Sequence, residues 1–169
     1  KYIIFAVAGA FIRATAKAAS PYITEDHVII DVAKGMEPKT LFTMTEIIAD
    51  EMKGKSIKLV ALSGPTHAEE VVKDLPTPIV SASQDIAAAE TVQRIFTTTS
   101  MRVYTNDDIH GVELCGALKN IIALASGAIV GLGSGDNARA ALITRGIAEI
   151  SRLGIAMGYK EQTFSGLAG

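Results

Sequence analysis

The sequence predicts an α/β chain: a doubly wound, mostly parallel sheet followed by an all-α helical unit. Three observations predict it. Short apolar runs alternate with segments of helical period through the first two-thirds of the chain, the order expected of strands joined by covering helices. After Asn106-Asp107-Asp108 no strand pattern appears, and two long helical segments take over. Bulk comes from Ala, Ile, Leu and Val, with no tryptophan and only 5% aromatic residues, which suits a sheet buried on both faces.

Residues 2–7 read as the first strand and 11–19 as a short helix. Val28–Asp31 is a second strand that runs straight into Val32-Ala33-Lys34-Gly35. Residues 40–52 place Leu41, Met44, Ile47, Ile48 and Met52 at helical spacing. Residues 57–62 form the third strand, closed by Ser63-Gly64-Pro65-Thr66, and 68–72 open a helix. Residues 79–81 are a short strand, and 85–95 a helix with Asp85 near its start, where a carboxylate suits the dipole. Residues 101–105 are the last strand.

The pattern changes near residue 106, which divides the chain into an α/β unit, 1–106, and a helical unit, 107–169. One helix runs from about residue 108 to 130, with Val112, Cys115, Leu118, Ile122 and Ala125 as one stripe. The next starts near Asp136, placed to cap it, and runs to 157. Ala141, Ile143, Ile147, Ile150 and Leu153 are its expected core face. The first residues look like a strand already under way and the last like a helix start cut short, so a piece of something longer is expected.

Formal net charge is −2, so neither nucleic acid nor an anionic membrane is expected as a partner through bulk charge. An anionic substrate must be held by a local site. Cys115 is the only cysteine, which excludes an intrachain disulfide and fits a reducing, cytoplasmic setting. Its place on the apolar stripe makes it core rather than nucleophile. His27, His67 and His110 lie far apart in sequence, and no metal is expected from their spacing.

Between residues 114 and 135 Lys119 is the only charged side chain. A helix this apolar is normally buried. Burying an ammonium is costly unless it is paired, hydrogen-bonded or deprotonated. Three readings of Lys119 stand. It snorkels to the surface along its stem. It lies in a membrane span, for which the run is long enough, though a charge near the middle, five glycines and no positive flank argue against that. Or it handles a proton where a substrate reaches it. Residue physics leaves the first and third open.

Ligands of doubly wound sheets bind beyond the carboxyl ends of the strands. Three such ends here carry glycine: Gly9, Lys34-Gly35, and Gly64-Pro65-Thr66-His67-Ala68. The last leads into a helix start, whose free amides favour anions. Each alone is an ordinary turn; together with Lys119 they favour a cleft. His67 reads as a surface or capping residue, and Arg145 as an ion-pair or subunit contact. Gly131-Leu132-Gly133-Ser134-Gly135-Asp136 has the glycine density of a phosphate loop but the wrong spacing, and it lies between two helices. It is rejected as one, and no GxGxxG occurs in the 169 residues.

Several stretches, in order, carry a family resemblance: Val32-Ala33-Lys34-Gly35-Met36-Glu37, Leu62-Ser63-Gly64-Pro65-Thr66-His67-Ala68-Glu69-Glu70-Val71, Gly111-Val112-Glu113-Leu114-Cys115-Gly116-Ala117-Leu118-Lys119-Asn120, and Gly131-Leu132-Gly133-Ser134-Gly135-Asp136-Asn137. Ala140-Ala141-Leu142-Ile143-Thr144-Arg145-Gly146 and Thr163-Phe164-Ser165-Gly166-Leu167-Ala168-Gly169 continue it. Together they resemble the NAD(P)-dependent glycerol-3-phosphate dehydrogenases of the bacterial type.

The resemblance implies an incomplete Rossmann-type sheet and, as cofactor, NAD or NADP. It implies interconversion of dihydroxyacetone phosphate and sn-glycerol 3-phosphate, for phospholipid synthesis, in a cytoplasmic homodimer without a membrane span. Lys119 then matches the catalytic acid/base and also touches substrate, with Asn120 as its catalytic polar neighbour. Lys34 matches a lysine that touches both cofactor and substrate. Gly64 and Thr66 match substrate-binding positions and Ala68 a cofactor-binding one. The chain departs from the family in three ways. The glycine fingerprint is absent, as is a downstream segment that grips cofactor and substrate phosphate. Ala8-Gly9-Ala10-Phe11 stands where relatives carry a proline and polar residues. The 169 residues alone are therefore expected to be inactive. Two other functions remain open: a related hydroxyacid dehydrogenase with a Lys-Asn pair, and a non-catalytic helical dimerisation module.

Overall fold

In the computed structural model, which describes residues 1–167, strands and helices alternate as far as Asn106. The strands are β1 (Tyr2–Phe5), β2 (Val28–Asp31), β3 (Lys58–Ser63), β4 (Thr77–Ala82) and β5 (Met101–Asn106). Between them lie α1 (Ile12–Ala19), α2 (Met44–Glu51), the single turn α3 (Ala68–Val71) and α4 (Ile86–Phe96). Two long helices follow, α5 (Ile109–Gly131) and α6 (Gly135–Ala156), and then a 3-10 turn, Glu161–Ser165. Ala168 and Gly169, the end of the last quoted motif, lie outside the described residues.

The strands stand in sequence order across one sheet. All neighbours are parallel except β3 and β4, which are antiparallel. The reversal follows from α3. A parallel connection needs a crossover helix long enough to travel back along the sheet, and α3 has only four residues.

Side chains of β2 alternate between the two faces. Ile29 packs with Phe5, Ile12, Met44 and Ile48 under α1 and α2. Ile30 packs with Val60, Ile79 and Val92 under α4. On the α1–α2 side, Ala61 and Ala82 meet Val112, Leu114 and Phe164, so the first third of α5 completes that cover. The stripe expected on α5 is buried at Val112 and Cys115 and half-buried at Leu118, Ile122 and Ala125.

Helix starts follow local capping chemistry. Asp85 accepts from the Ala87 and Ala88 amides at 3.1 and 3.2 Å and caps α4. Asp108 does the same for α5 through the Gly111 amide at 3.1 Å. The helix expected over 40–52 starts only at Met44. Thr43 closes a capping box with Glu46, whose carboxylate accepts the Thr43 amide at 2.8 Å, and such a box ends a helix on its N-terminal side. The strand expected over 2–7 ends at Phe5.

Two expectations for α6 are corrected. Asp136 does not cap it: the helix already starts at Gly135, and Asp136 sits in the first turn beside Arg139, 3.2 Å away. Gly133 and Gly135, with φ of 66° and 81°, turn the chain into the helix earlier. Nor is most of the expected core face buried: only Ile150 packs against the α5 cluster. Ile143, Ile147 and Leu153 are 39%, 48% and 46% exposed, because the main contacts of α6 are to α5 and the closing 3-10 turn.

Those contacts are close. A Cβ on Gly154 would overlap the ring of Phe164, whereas one on Gly127 of α5 would meet open space. Gly154→Ala is expected to destabilise the chain by about 1–3 kcal/mol through overpacking. Gly127→Ala should stabilise it by up to about 1 kcal/mol through helix propensity. Urea unfolding of both variants checks the opposite signs.

Candidate active site at the carboxyl end of the sheet

β2 and β3 finish side by side, with Asp31 opposite Ala61. The end of β2 feeds the turn that carries Lys34, and the end of β3 feeds Gly64-Pro65-Thr66. The Lys34 ammonium donates to the Gly64 carbonyl at 3.4 Å. Lys119, reaching across from α5, donates to the same oxygen at 3.4 Å. Gly64 is buried, and a Cβ there would lie 2.9 Å from the Pro78 carbonyl and 3.0 Å from Ile79 Cα. Backbone packed that closely onto β4 holds the shared carbonyl in place.

Two ammonium groups over one neutral acceptor repel each other. Burial first, and then the Lys119 charge, lower the Lys34 pKa. Among the described residues neither lysine has a carboxylate partner. Such a pair favours an anion, or an oxygen on which negative charge grows.

Three hollows meet at this pair. Thr66 and Ala68 line a groove of about 310 Å³ together with Lys34. Lys34 also borders a wider hollow of about 980 Å³ with Gly9, Gly35 and Met44. Lys119 stands at the rim of a largely apolar pocket of about 320 Å³ between α5 and α6. Lys34, Gly64 and Lys119 therefore come together, with Thr66 and Ala68 beside them. Asn120 does not join them: it is exposed, and its side chain makes no hydrogen bond among the described residues. His67 is exposed at the start of α3 and gives it no side-chain cap. Cys115 is buried, and burial raises its thiol pKa. Among the described residues no group of three His, Cys, Asp or Glu is placed to hold a metal.

Three supporting features escaped the sequence reading. Arg13 of α1 grips Glu37 with Nε and Nη2 at 2.6 and 2.7 Å, and Asp50 and Glu51 with Nη1 at 2.7 and 2.6 Å. That clamp ties the turn after Lys34 to α1 and α2, and it holds the Glu37 carboxyl well below its usual range. Glu113 of α5 is buried and accepts from the Thr43 hydroxyl and the Thr45 amide, each at 2.8 Å. Asp31, 1% exposed, has no hydrogen-bond partner on either oxygen among the described residues. Burial, and then the Glu113 charge, push its pKa up to about 8; the nearby Ala33 amide opposes this weakly. No spacing rule links positions so far apart in sequence, although the Thr43-x-x-Glu46 capping box was there to be read.

A mostly parallel sheet whose carboxyl end faces a lysine from an adjoining helical hairpin has the plan of a dinucleotide-dependent dehydrogenase. Comparison narrows that class. The model for the NAD-dependent glycerol-3-phosphate dehydrogenase N-terminus matches residues 1–101, and the model for the C-terminus of the same enzymes matches residues 108–169. The chain belongs to this family.

A glycerol-3-phosphate dehydrogenase of Lactobacillus delbrueckii, named for use of NAD(P)+, is 61% identical over 99% of the chain and 51% of its own length. The Clostridium acetobutylicum enzyme is 50% identical over all of the chain and 50% of its own length. The chain thus spans about half the length of the curated relatives it matches. The crystal structure of the Coxiella burnetii glycerol-3-phosphate dehydrogenase superposes with a TM-score of 0.92 at 37% identity, covering 99% of this chain and 51% of that one.

The unpartnered Asp31 makes stability depend on pH. Its pKa is about 8 in the folded chain against 3.8 ordinarily. The stability it permits is complete below about pH 4 and is lost progressively as pH rises towards 8. Asp31→Asn should flatten that loss. Urea midpoints at pH 5, 7 and 9 should separate increasingly from those of the parent, with the variant the more stable.

Proposed function

We propose that the protein carrying this chain is an oxidoreductase that interconverts dihydroxyacetone phosphate and sn-glycerol 3-phosphate with NAD(P)H. One observation carries the chemistry: the Lys34 and Lys119 ammonium groups meet over the Gly64 carbonyl. Family membership and the relatives' names supply the substrate and cofactor class.

A nicotinamide cofactor, when bound, supplies the hydride. The glycine turns at the carboxyl end of the sheet fit such a group, and Lys34 and the Ala68 turn would hold it. Lys119 acts as the acid. As the ketone carbon is reduced, negative charge grows on its oxygen, and a neighbouring ammonium both stabilises that charge and delivers the proton. In the reverse direction the neutral amine takes the proton back. Lys34 orients the ketone from the other side, with Gly64 and Thr66 lining the substrate's place. Asn120 joins the pair if its side chain turns inward when substrate is bound.

α5 is long and apolar enough to cross a membrane by length and composition alone. We read it as a core helix of a cytoplasmic enzyme. Its first third is buried against β3 and β4, and it carries Lys119 near its middle. The uncovered apolar face of α6 supports a homodimer or a further part of the same protein as its cover.

The test is turnover by the gene product that carries this sequence. Lys119→Ala should lower kcat by about 10²–10⁴-fold, the span expected for loss of a placed acid, while Lys34→Ala should also raise KM for the phosphorylated ketone. Parental turnover by Lys119→Ala would sink the reading. Faster reduction of a 2- or 3-keto acid than of dihydroxyacetone phosphate would favour the hydroxyacid dehydrogenase instead.

A further inference from the structure

We propose that Glu113 is the positioning residue for Lys119: its buried carboxylate moors the root of α5 to the first turn of α2 and so sets where the lysine amine meets the Gly64 carbonyl. This rests on Lys119 being the proton donor.

Glu113 and Lys119 lie six residues apart on one helix, about 9 Å along its axis. Below Lys119, the Glu113 oxygens take the Thr43 hydroxyl, the Thr45 amide and the Thr45 hydroxyl. The His110 ring nitrogen stands 3.4 Å from the same carboxylate. The mooring point is itself stiff, because Thr43 is locked in the capping box with Glu46. A carboxylate also suits the positive end of α2.

An apolar side chain would fill this interior place without the cost of burying a charge. What the carboxylate adds is register. It accepts from three donors at fixed points on the cap and first turn of α2, so α5 cannot slide or roll without breaking them. Because a helix is stiff, any displacement at its root is carried to Lys119. A misplacement of about 1 Å at a reacting group costs on the order of 10²-fold in rate.

Asp31 bounds the site from the sheet side. Its register partner Ala61 belongs to the cluster that packs on α5, so Asp31 shares that face and lies beneath the mooring. A second charged carboxyl there would repel Glu113. Burial, and then the Glu113 charge, push the Asp31 pKa up to about 8, which eases that repulsion at neutral pH.

The experiment compares Glu113→Ala, Glu113→Gln and Lys119→Ala in the gene product carrying this sequence, by kcat, KM for NADH and the solvent deuterium isotope effect on kcat. Glu113→Ala should lose on the order of 10–10²-fold in kcat, keep KM for NADH within about twofold, and show a larger solvent isotope effect, because proton delivery has slowed. Glu113→Gln keeps an acceptor for the Thr45 amide and should return kcat to within about fivefold of the parent, with the parental isotope effect.

The inference is overturned if Glu113→Ala keeps parental kcat, or loses activity only in step with its folded fraction at an unchanged isotope effect. An active Lys119→Ala would instead remove the reading on which it rests. Should Glu113→Ala fail to fold, Thr45→Ala withdraws one hydroxyl donor and is held to the same isotope comparison, with the same outcomes for and against.

Discussion

Two like charges over one carbonyl are the constraint around which this chain is arranged. Left free, the Lys34 and Lys119 side chains would swing apart into solvent. They stay together because each rises from backbone held elsewhere. The Lys34 turn is tied down through Glu37 by the Arg13 guanidinium, which also takes Asp50 and Glu51. The Lys119 helix is capped by Asp108 and moored by Glu113. Gly64 closes the arrangement, since only a residue without a Cβ brings its carbonyl that near β4. The site is thus an electropositive point built from three separate stretches of chain and kept so by carboxylates at a distance.

Asp108 joins the two ends of the helical part. Besides its capping bond, it accepts from the Lys160 amide at 3.0 Å and the Thr163 hydroxyl at 2.7 Å. The segment after α6 is thereby drawn back onto the start of α5, and Phe164 enters the same cluster as Val112 and Leu114. Beyond that cluster the hairpin loses its cover. Leu124 and Leu132 are 79% and 81% exposed, so α5 changes from core helix to open surface along its length.

The parts that were legible in the sequence are those that depend on near neighbours. Short apolar runs between segments of helical period located all five strands, and Asp85 marked the start of α4 because an N-cap is a local bond. Lys119 stood out because no other charge shares its run. Strand ends followed by glycine pointed to Lys34 and Gly64. What stayed hidden depends on pairs far apart in the chain. Arg13 meets carboxylates 24, 37 and 38 residues away, and Glu113 meets threonines 68 and 70 residues back. The apolar stripe of α6 misled for a related reason. Periodicity says which side of a helix is apolar, not whether anything lies against it.

The reversal between β3 and β4 has a geometric result for the lysine. Because β4 and β5 run against the first three strands, β5 ends at the opposite margin of the sheet from Gly64. α5 therefore sets out from the wrong side and must climb the height of the sheet before any of its residues can reach the β3 terminus. From Ile109 to Lys119 it rises about 15 Å, comparable to the roughly 20 Å of a six-residue strand such as β3. The lysine's address on its helix is in effect a ruler reading of strand length. One residue more or fewer in that climb would turn the amine by about 100° around the helix axis and aim it away from its neighbour.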